Sequence, residues 1–308
     1  MTFRSGIRHI PVLILACMAT LACSSPDPEG TEAEPGTAPE STSQENMFLR
    51  EALTFHASFD HGPDADFALG DPALYTAPSW DESDQAQAGI GNPDVEIVGG
   101  VGRVGDALSF NEKNTAAIFY QAHEKVAYSA EDWSGTISFW LSLTPGEDLE
   151  PGYCDPIQIT DQAFNDAAIW VDFTNVNPRQ FRLGVFGDLQ AWNPEGLPSD
   201  QNPGFEENLV PVDDPPFQRE TWTHVVITHS GLGSDAGGTA GLYLDGQLQG
   251  VIEEIEEPFT WDLERAQIRI GVNYVGLFDE LALFNRPFTP DEVMVLHRLE
   301  GGVMELHR

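Results

Sequence analysis

Six residues stand out for what their types and spacing could do together: Gln158, Trp170, Asp172, Arg182, Phe186 and Asp188. They fall in three neighbouring segments of alternating pattern. Ile157 and Ile159 alternate with Gln158 and Thr160, and Ile169, Val171 and Phe173 alternate with Trp170, Asp172 and Thr174. Phe181, Leu183 and Val185 alternate with Arg182, Gly184, Phe186 and Asp188. Successive strand residues point to opposite faces. Each segment therefore buries an aliphatic face and turns the other set outward. Aromatic rings among charged and amide hydrogen-bonders suit a sugar, whose ring stacks while its hydroxyls take the polar groups. A second reading has Trp170 and Phe186 covered by the insertion from Gln190 to Arg219, with Arg182 paired to an aspartate. That insertion is rich in proline and carries Trp192, so it could equally form the rim of a sugar site.

Other chemistry is poorly represented. His224 and His229 lie five apart on one strand, face opposite ways, and cannot share a metal within it. No G-x-S-x-G nucleophile turn and no H-E-x-x-H zinc helix occurs in the chain.

These residues need a sheet to hold them, and the chain supplies one. Leu53, Phe55, Ala57 and Phe59 alternate with Thr54, His56 and Ser58, which predicts a first strand ending at Asp60. An insertion from His61 to about Pro93 follows, rich in Asp, Ala, Gly and Pro, with Tyr75 and Trp80 embedded in it. Val95 to Ile97, Ala107 to Phe110 and Ala116 to Tyr120 are further strand candidates. Near the end, Leu277 to Phe284 is apolar on both faces, as in a covered central strand. Asn285-Arg286-Pro287 stops it. Thr289-Pro290-Asp291-Glu292 then combines an N-cap, an N1 proline and a capping-box glutamate, which predicts a short helix from Pro290 to about Arg298.

Four blocks carry a family resemblance. Gly276 to Val293 (GLFDELALFNRPFTPDEV) resembles the last strand and helix of laminin-G-like domains, which belong to the concanavalin A-like lectin and glucanase jelly rolls. Gly102 to Phe110, Gly135 to Ser142, and Trp222 to Ser230 with Leu242 to Gly246 resemble earlier strands of that family, in the same order. The resemblance covers residues 53 to 299. It implies an all-β fold, a two-sheet antiparallel jelly-roll sandwich with one short C-terminal helix, and it says little about function. It also implies a structural calcium where the first strand's end meets the last strand, with Asp60 and Asp279 as ligands and a carbonyl of residues 102–106 completing the shell. The alternative is that Asp279 only accepts backbone N–H bonds. Glycosidases of this fold carry an E-x-D-x-x-E strand. Glu253-Glu254-Ile255-Glu256-Glu257 comes nearest, lacks the aspartate, and reads as a solvated acidic turn.

The flanks complete the organisation. Residues 1–22 carry Arg4, Arg8 and an apolar run, which reads as an export signal too short to span a bilayer. Thr20-Leu21-Ala22-Cys23 is similar to a bacterial lipobox, making Cys23 the expected lipidation site, with Cys17 as the competing one. Residues 23–50 read as a lipid-anchored disordered tether, 51–299 as the domain and 300–308 as a tail. The chain holds 14 Lys plus Arg against 50 Asp plus Glu, a net charge of −36, which argues against nucleic acid and anionic membranes as partners. It suits saline or calcium-rich surroundings, which screen self-repulsion. With Cys17 in the signal and Cys23 lipidated, Cys154 is the remaining thiol, so no intramolecular disulfide is expected.

The expected function is a cell-envelope-tethered carbohydrate-binding or adhesion module without catalysis, whose partner is a polysaccharide or glycoconjugate. It would touch the membrane only through its anchor. A glycan hydrolase or lyase of the same fold with an unrecognised acid pair is the alternative, and a structural envelope protein is a third. The missing E-x-D-x-x-E favours the first.

Overall fold

The computed structural model describes residues 39–307. The export signal, Cys23 and residues 24–38 of the expected tether lie outside the described residues. In chain order, helix α1 (Pro39–Ala52) is followed by strands β1 (Leu53–Ala57), β2 (Phe67–Ala68), β3 (Tyr75–Ala77), β4 (Gln87–Ala88), β5 (Val95–Val98) and β6 (Ala107–Phe110). Then come β7 (Ala117–Gln121), β8 (Trp133–Ser142), the one-turn helix α2 (Pro145–Asp148), β9 (Cys154–Thr160), β10 (Ala168–Phe173) and β11 (Phe181–Phe186). Short helices α3 (Leu189–Trp192) and α4 (Pro203–Glu207) precede β12 (Leu209–Val212), β13 (Thr223–Leu232), β14 (Gly238–Leu244) and β15 (Gln247–Ile255). Strands β16 (Gln267–Val272) and β17 (Gly276–Phe284) and helix α5 (Pro290–His297) close the sequence of regular elements, before a 3-10 turn at Val303–His307.

The strands build two antiparallel sheets, as the jelly-roll expectation requires. One has nine strands in the order β15-β14-β13-β8-β17-β1-β2, with β6 added on β17 and β5 on β6. The other has eight, in the order β12-β11-β10-β9-β16-β7-β3-β4. Alternation decides which side chains meet between them. Ile137, Phe139 and Leu141 of β8 and Phe278 and Leu281 of β17 face Ile157, Ile159, Val171 and Leu183 of the second sheet in one apolar core. Each such side chain contributes about 1.5–3 kcal/mol on leaving water. The insertion at 61–93 is ordered and extends both sheets, adding β2 at one edge and β3 and β4 at the other.

Two boundaries differ from the sequence reading. Residues 39–50 of the expected tether are helical, because Leu49 and Ala52 find a surface to bury against. The expected tail is folded too, with Val303 and Leu306 buried. Both pack with Phe288, Val293 and Leu296 onto the outer face of the nine-stranded sheet, against Val226, Tyr243, Ala282 and Phe284. Helix α5 starts as the sequence dictates: the Thr289 hydroxyl accepts from Glu292 N, and the Glu292 carboxylate accepts from Thr289 N.

Candidate functional site

Register on the eight-stranded sheet assembles the site. Trp170 lies opposite Gln158 of β9 and Gly184 of β11, and Asp172 lies opposite Arg182. Glycine at 184 is required by close approach, since a Cβ there would come 2.3 Å from the Trp170 ring. The 190–219 insertion folds over this outer face. Asn202 accepts a hydrogen bond from Gly204 N to start α4, and Phe205 of that helix stacks on Phe186 with centroids 4.9 Å apart. Between α4 and the strands opens a cleft of about 1030 Å³. Gln158, Asp172 and Arg182 form its floor, Asn202 and Phe205 one wall, and the rings of Tyr153 and Phe164 stand beside it, 50% and 43% exposed.

The floor is a connected polar network. Arg182 donates from Nε to Asp172 Oδ1 at 2.8 Å and from its terminal nitrogen to Oδ2 at 2.5 Å, and its guanidinium lies 5.3 Å from the Tyr153 ring centroid. Burial raises the Asp172 carboxyl while Arg182 opposes the shift. Asp155, partly open to the cleft, is pushed up to about 8, first by burial and then by the charge of Asp172. Gln158 donates to Asp155 Oδ2 at 2.7 Å, and its own Oε1 accepts from Arg269 at 2.8 Å. Arg269 lies over the Trp80 ring and donates again to the Gln162 carbonyl, so the amide of Gln158 has a fixed orientation. With its carboxyl pushed up to about 8, Asp155 can act as a donor near neutral pH, while Asp172 accepts from Arg182.

A protein-family model described as the concanavalin A-like lectin/glucanases superfamily matches residues 121–294, more than half of the chain. The chain belongs to that superfamily. No curated protein matches it significantly. Among solved structures, the ligand-binding domain of botulinum neurotoxin serotype D, in complex with N-acetylneuraminic acid, superposes with a TM-score of 0.51 at 10% identity. That match covers 82% of this chain and 52% of the toxin domain. Domain 4 of an extracellular arabinanase from Geobacillus stearothermophilus, in complex with arabinotriose, gives 0.48 at 16% identity, over 79% of this chain and 97% of that one. A Trypanosoma rangeli sialidase gives 0.47 at 13% identity, over 85% and 38%. The likeness to the toxin domain is one of fold.

Within this lectin-like sandwich the residues anticipated from sequence divide. Gln158, Asp172 and Arg182 reach the cleft as expected. Trp170 borders it but is only 2% exposed: its ring stacks on Phe186, and its Nε1 donates to the Phe164 carbonyl at 2.6 Å. Phe186 is fully buried with Trp192 and Phe205. The expectation that these two rings face a ligand is therefore corrected. The insertion covers them, as the second sequence reading allowed. Asp188 turns away from the floor, its Oδ1 accepting from Thr260 N. The residues that sequence reasoning missed are Tyr153, Asp155, Phe164 and Asn202, which come from loop, strand start and insertion without a repeating pattern.

The acidic run and the two histidines lie outside the cleft lining. Glu253, Glu254 and Glu256 are exposed on or beside the edge strand β15. His224 and His229 do face opposite ways. His224 stacks on Trp140 and hydrogen-bonds Ser138 Oγ at 2.9 Å, and burial pushes its pKa down. His229 packs on Trp133 and is lowered to about 4, again by burial.

Asp60 and Asp279 meet the same loop, residues 102–106, from two sides. Asp60 Oδ1 accepts from Asp106 N at 2.6 Å, and Asp279 Oδ2 accepts from Arg103 N at 2.6 Å and Val104 N at 3.3 Å. Asp279 Oδ1 accepts from Glu280 N at 2.7 Å. Amide donors thus converge where a cation would need acceptors. Among the described residues no group of three His, Cys, Asp or Glu side chains is arranged to hold a metal. As they stand, both carboxylates accept from backbone amides of the protein itself, the alternative the sequence reading gave for Asp279.

Proposed function

We propose that the protein is a non-catalytic carbohydrate-binding or adhesion module held at the cell envelope, and that a glycan lies in the cleft over β9, β10 and β11. The exposed Tyr153 ring beside the Gln158, Asp172 and Arg182 floor carries this reading: a flat apolar face and directional hydrogen-bonders are what a pyranose or furanose ring requires. Membership of a lectin superfamily agrees with it. A glycan-array screen of the mature chain tests it, and an array with no glycan bound above background would refute it.

A second reading, a glycan hydrolase or lyase, draws on Asp155, a carboxyl displaced to about 8 beside Asp172, whose rise by burial is opposed by Arg182, since acid and base roles need carboxyls in unlike environments. It is the weaker one, because both oxygens of Asp172 are engaged by Arg182. Release of new reducing ends or unsaturated sugars from an array-positive glycan, abolished by Asp155→Asn, would establish it.

The anchor rests on sequence. Cys23 follows Thr20-Leu21-Ala22 after an apolar run, and lipidation there would place the domain at a membrane surface. Cys23→Ala should then move the protein out of the membrane fraction; unchanged fractionation would remove Cys23 from that role.

A further inference from the structure

Building on the glycan reading of the cleft, we infer that the site selects uncharged sugars and rejects those bearing carboxylate or sulfate, and that the Asp172–Arg182 pair enforces the choice. Recognition of an anionic sugar needs a cation or a set of free N–H donors aimed at the anion. Among the described residues lining the cleft, Arg182 is the one cationic side chain. Its Nε and one terminal nitrogen are already given to Asp172, and its face lies on Tyr153.

Arg269, the next guanidinium behind the floor, is 7% exposed and spends donors on Gln267, Gln158 and the Gln162 carbonyl. Three acids, Asp155, Asp172 and Glu206, share the lining. A sugar carboxylate entering here would meet the Glu206 carboxylate and a guanidinium whose charge is already shared with Asp172. Burial first, and then the charge of Asp172, push the Asp155 carboxyl up to about 8. Uncharged hydroxyls face no such penalty, because Gln158, Gln180, Gln201 and Asn202 can donate or accept.

The test uses matched polymers: neutral glucans, mannans and galactans, each paired with the same polymer oxidised at C6 to the uronate, immobilised and titrated with the intact mature protein. The expected result is binding to at least one neutral polymer and at least tenfold weaker binding to its oxidised partner. Asp172→Asn should narrow that gap, since it removes a charge and frees the Arg182 fork; a melting curve confirms that the variant is folded. If that substitution unfolds the chain, Glu206→Gln supplies the same comparison from the wall of the cleft. Equal or tighter binding of oxidised polymer by the wild type would overturn the inference while leaving the glycan reading in place. Binding to none of the polymers, neutral or oxidised, with an array that is also blank, would remove both.

Discussion

Asp172 and Arg182 sit directly opposite each other on β10 and β11 and join side-on, carboxylate to guanidinium, through two hydrogen bonds from Nε and one terminal nitrogen. Asp155 stands beside that pair on the cleft floor. Its pKa of about 8 against an ordinary 3.8 means the folded state holds a proton that the unfolded chain releases. The stability this contributes is complete below about pH 4 and is lost as pH rises through about 8. Asp155→Asn cannot titrate, so its unfolding free energy should fall less steeply between about pH 5 and pH 8.5 than that of the wild type. Asp279, also raised to about 8, keeps some slope in the variant. Urea titrations at the two pH values provide the comparison, and parallel slopes would mean Asp155 is ionised in the fold.

Trp170 and Tyr153 should separate by the kind of damage their loss causes. Trp170 is sealed against Phe186 and Gly184, so Trp170→Ala leaves a cavity and should cost about 3–5 kcal/mol of stability. Tyr153 is half exposed, and its replacement should stay within about 0.5 kcal/mol. Chemical denaturation of both variants checks this; a Trp170→Ala protein as stable as the wild type would mean that its ring does not belong to the packed lobe.

Much of this fold is legible locally. Alternation along 157–160, 169–174 and 181–186 predicts three strands with the correct inner faces, and Thr289 to Glu292 predicts the helix start down to its capping box. What covers an outer face is not local. Trp192 and Phe205 have no periodic neighbours, yet they close over Trp170 and Phe186 and turn an expected ligand platform into core. Helix α1 escaped notice because its polar composition hides Leu49 and Ala52, whose burial depends on α5 and the closing turn. Tyr153, a lone ring after Pro151-Gly152, gains meaning only from the cleft beside it.

The Asp60 and Asp279 arrangement gives a prediction about calcium. With amide N–H groups on both carboxylates, the melting midpoint should be the same in millimolar calcium and in chelator. An ion bound at a hundredfold excess over its dissociation constant would add about 2.7 kcal/mol, which raises the midpoint of a domain this size by roughly 5–10 °C. Such a rise, lost in Asp279→Asn, would put calcium between the first and last strands after all.

The central claim is that a glycan stacks on Tyr153 above the polar floor. Isothermal titration of the wild type and of Tyr153→Ala with the best neutral glycan from the array addresses it directly. The account predicts an affinity at least tenfold lower in the variant, about 1.4 kcal/mol, with unfolding free energy unchanged within about 0.5 kcal/mol. Equal affinities in the two proteins would place the glycan elsewhere and contradict it.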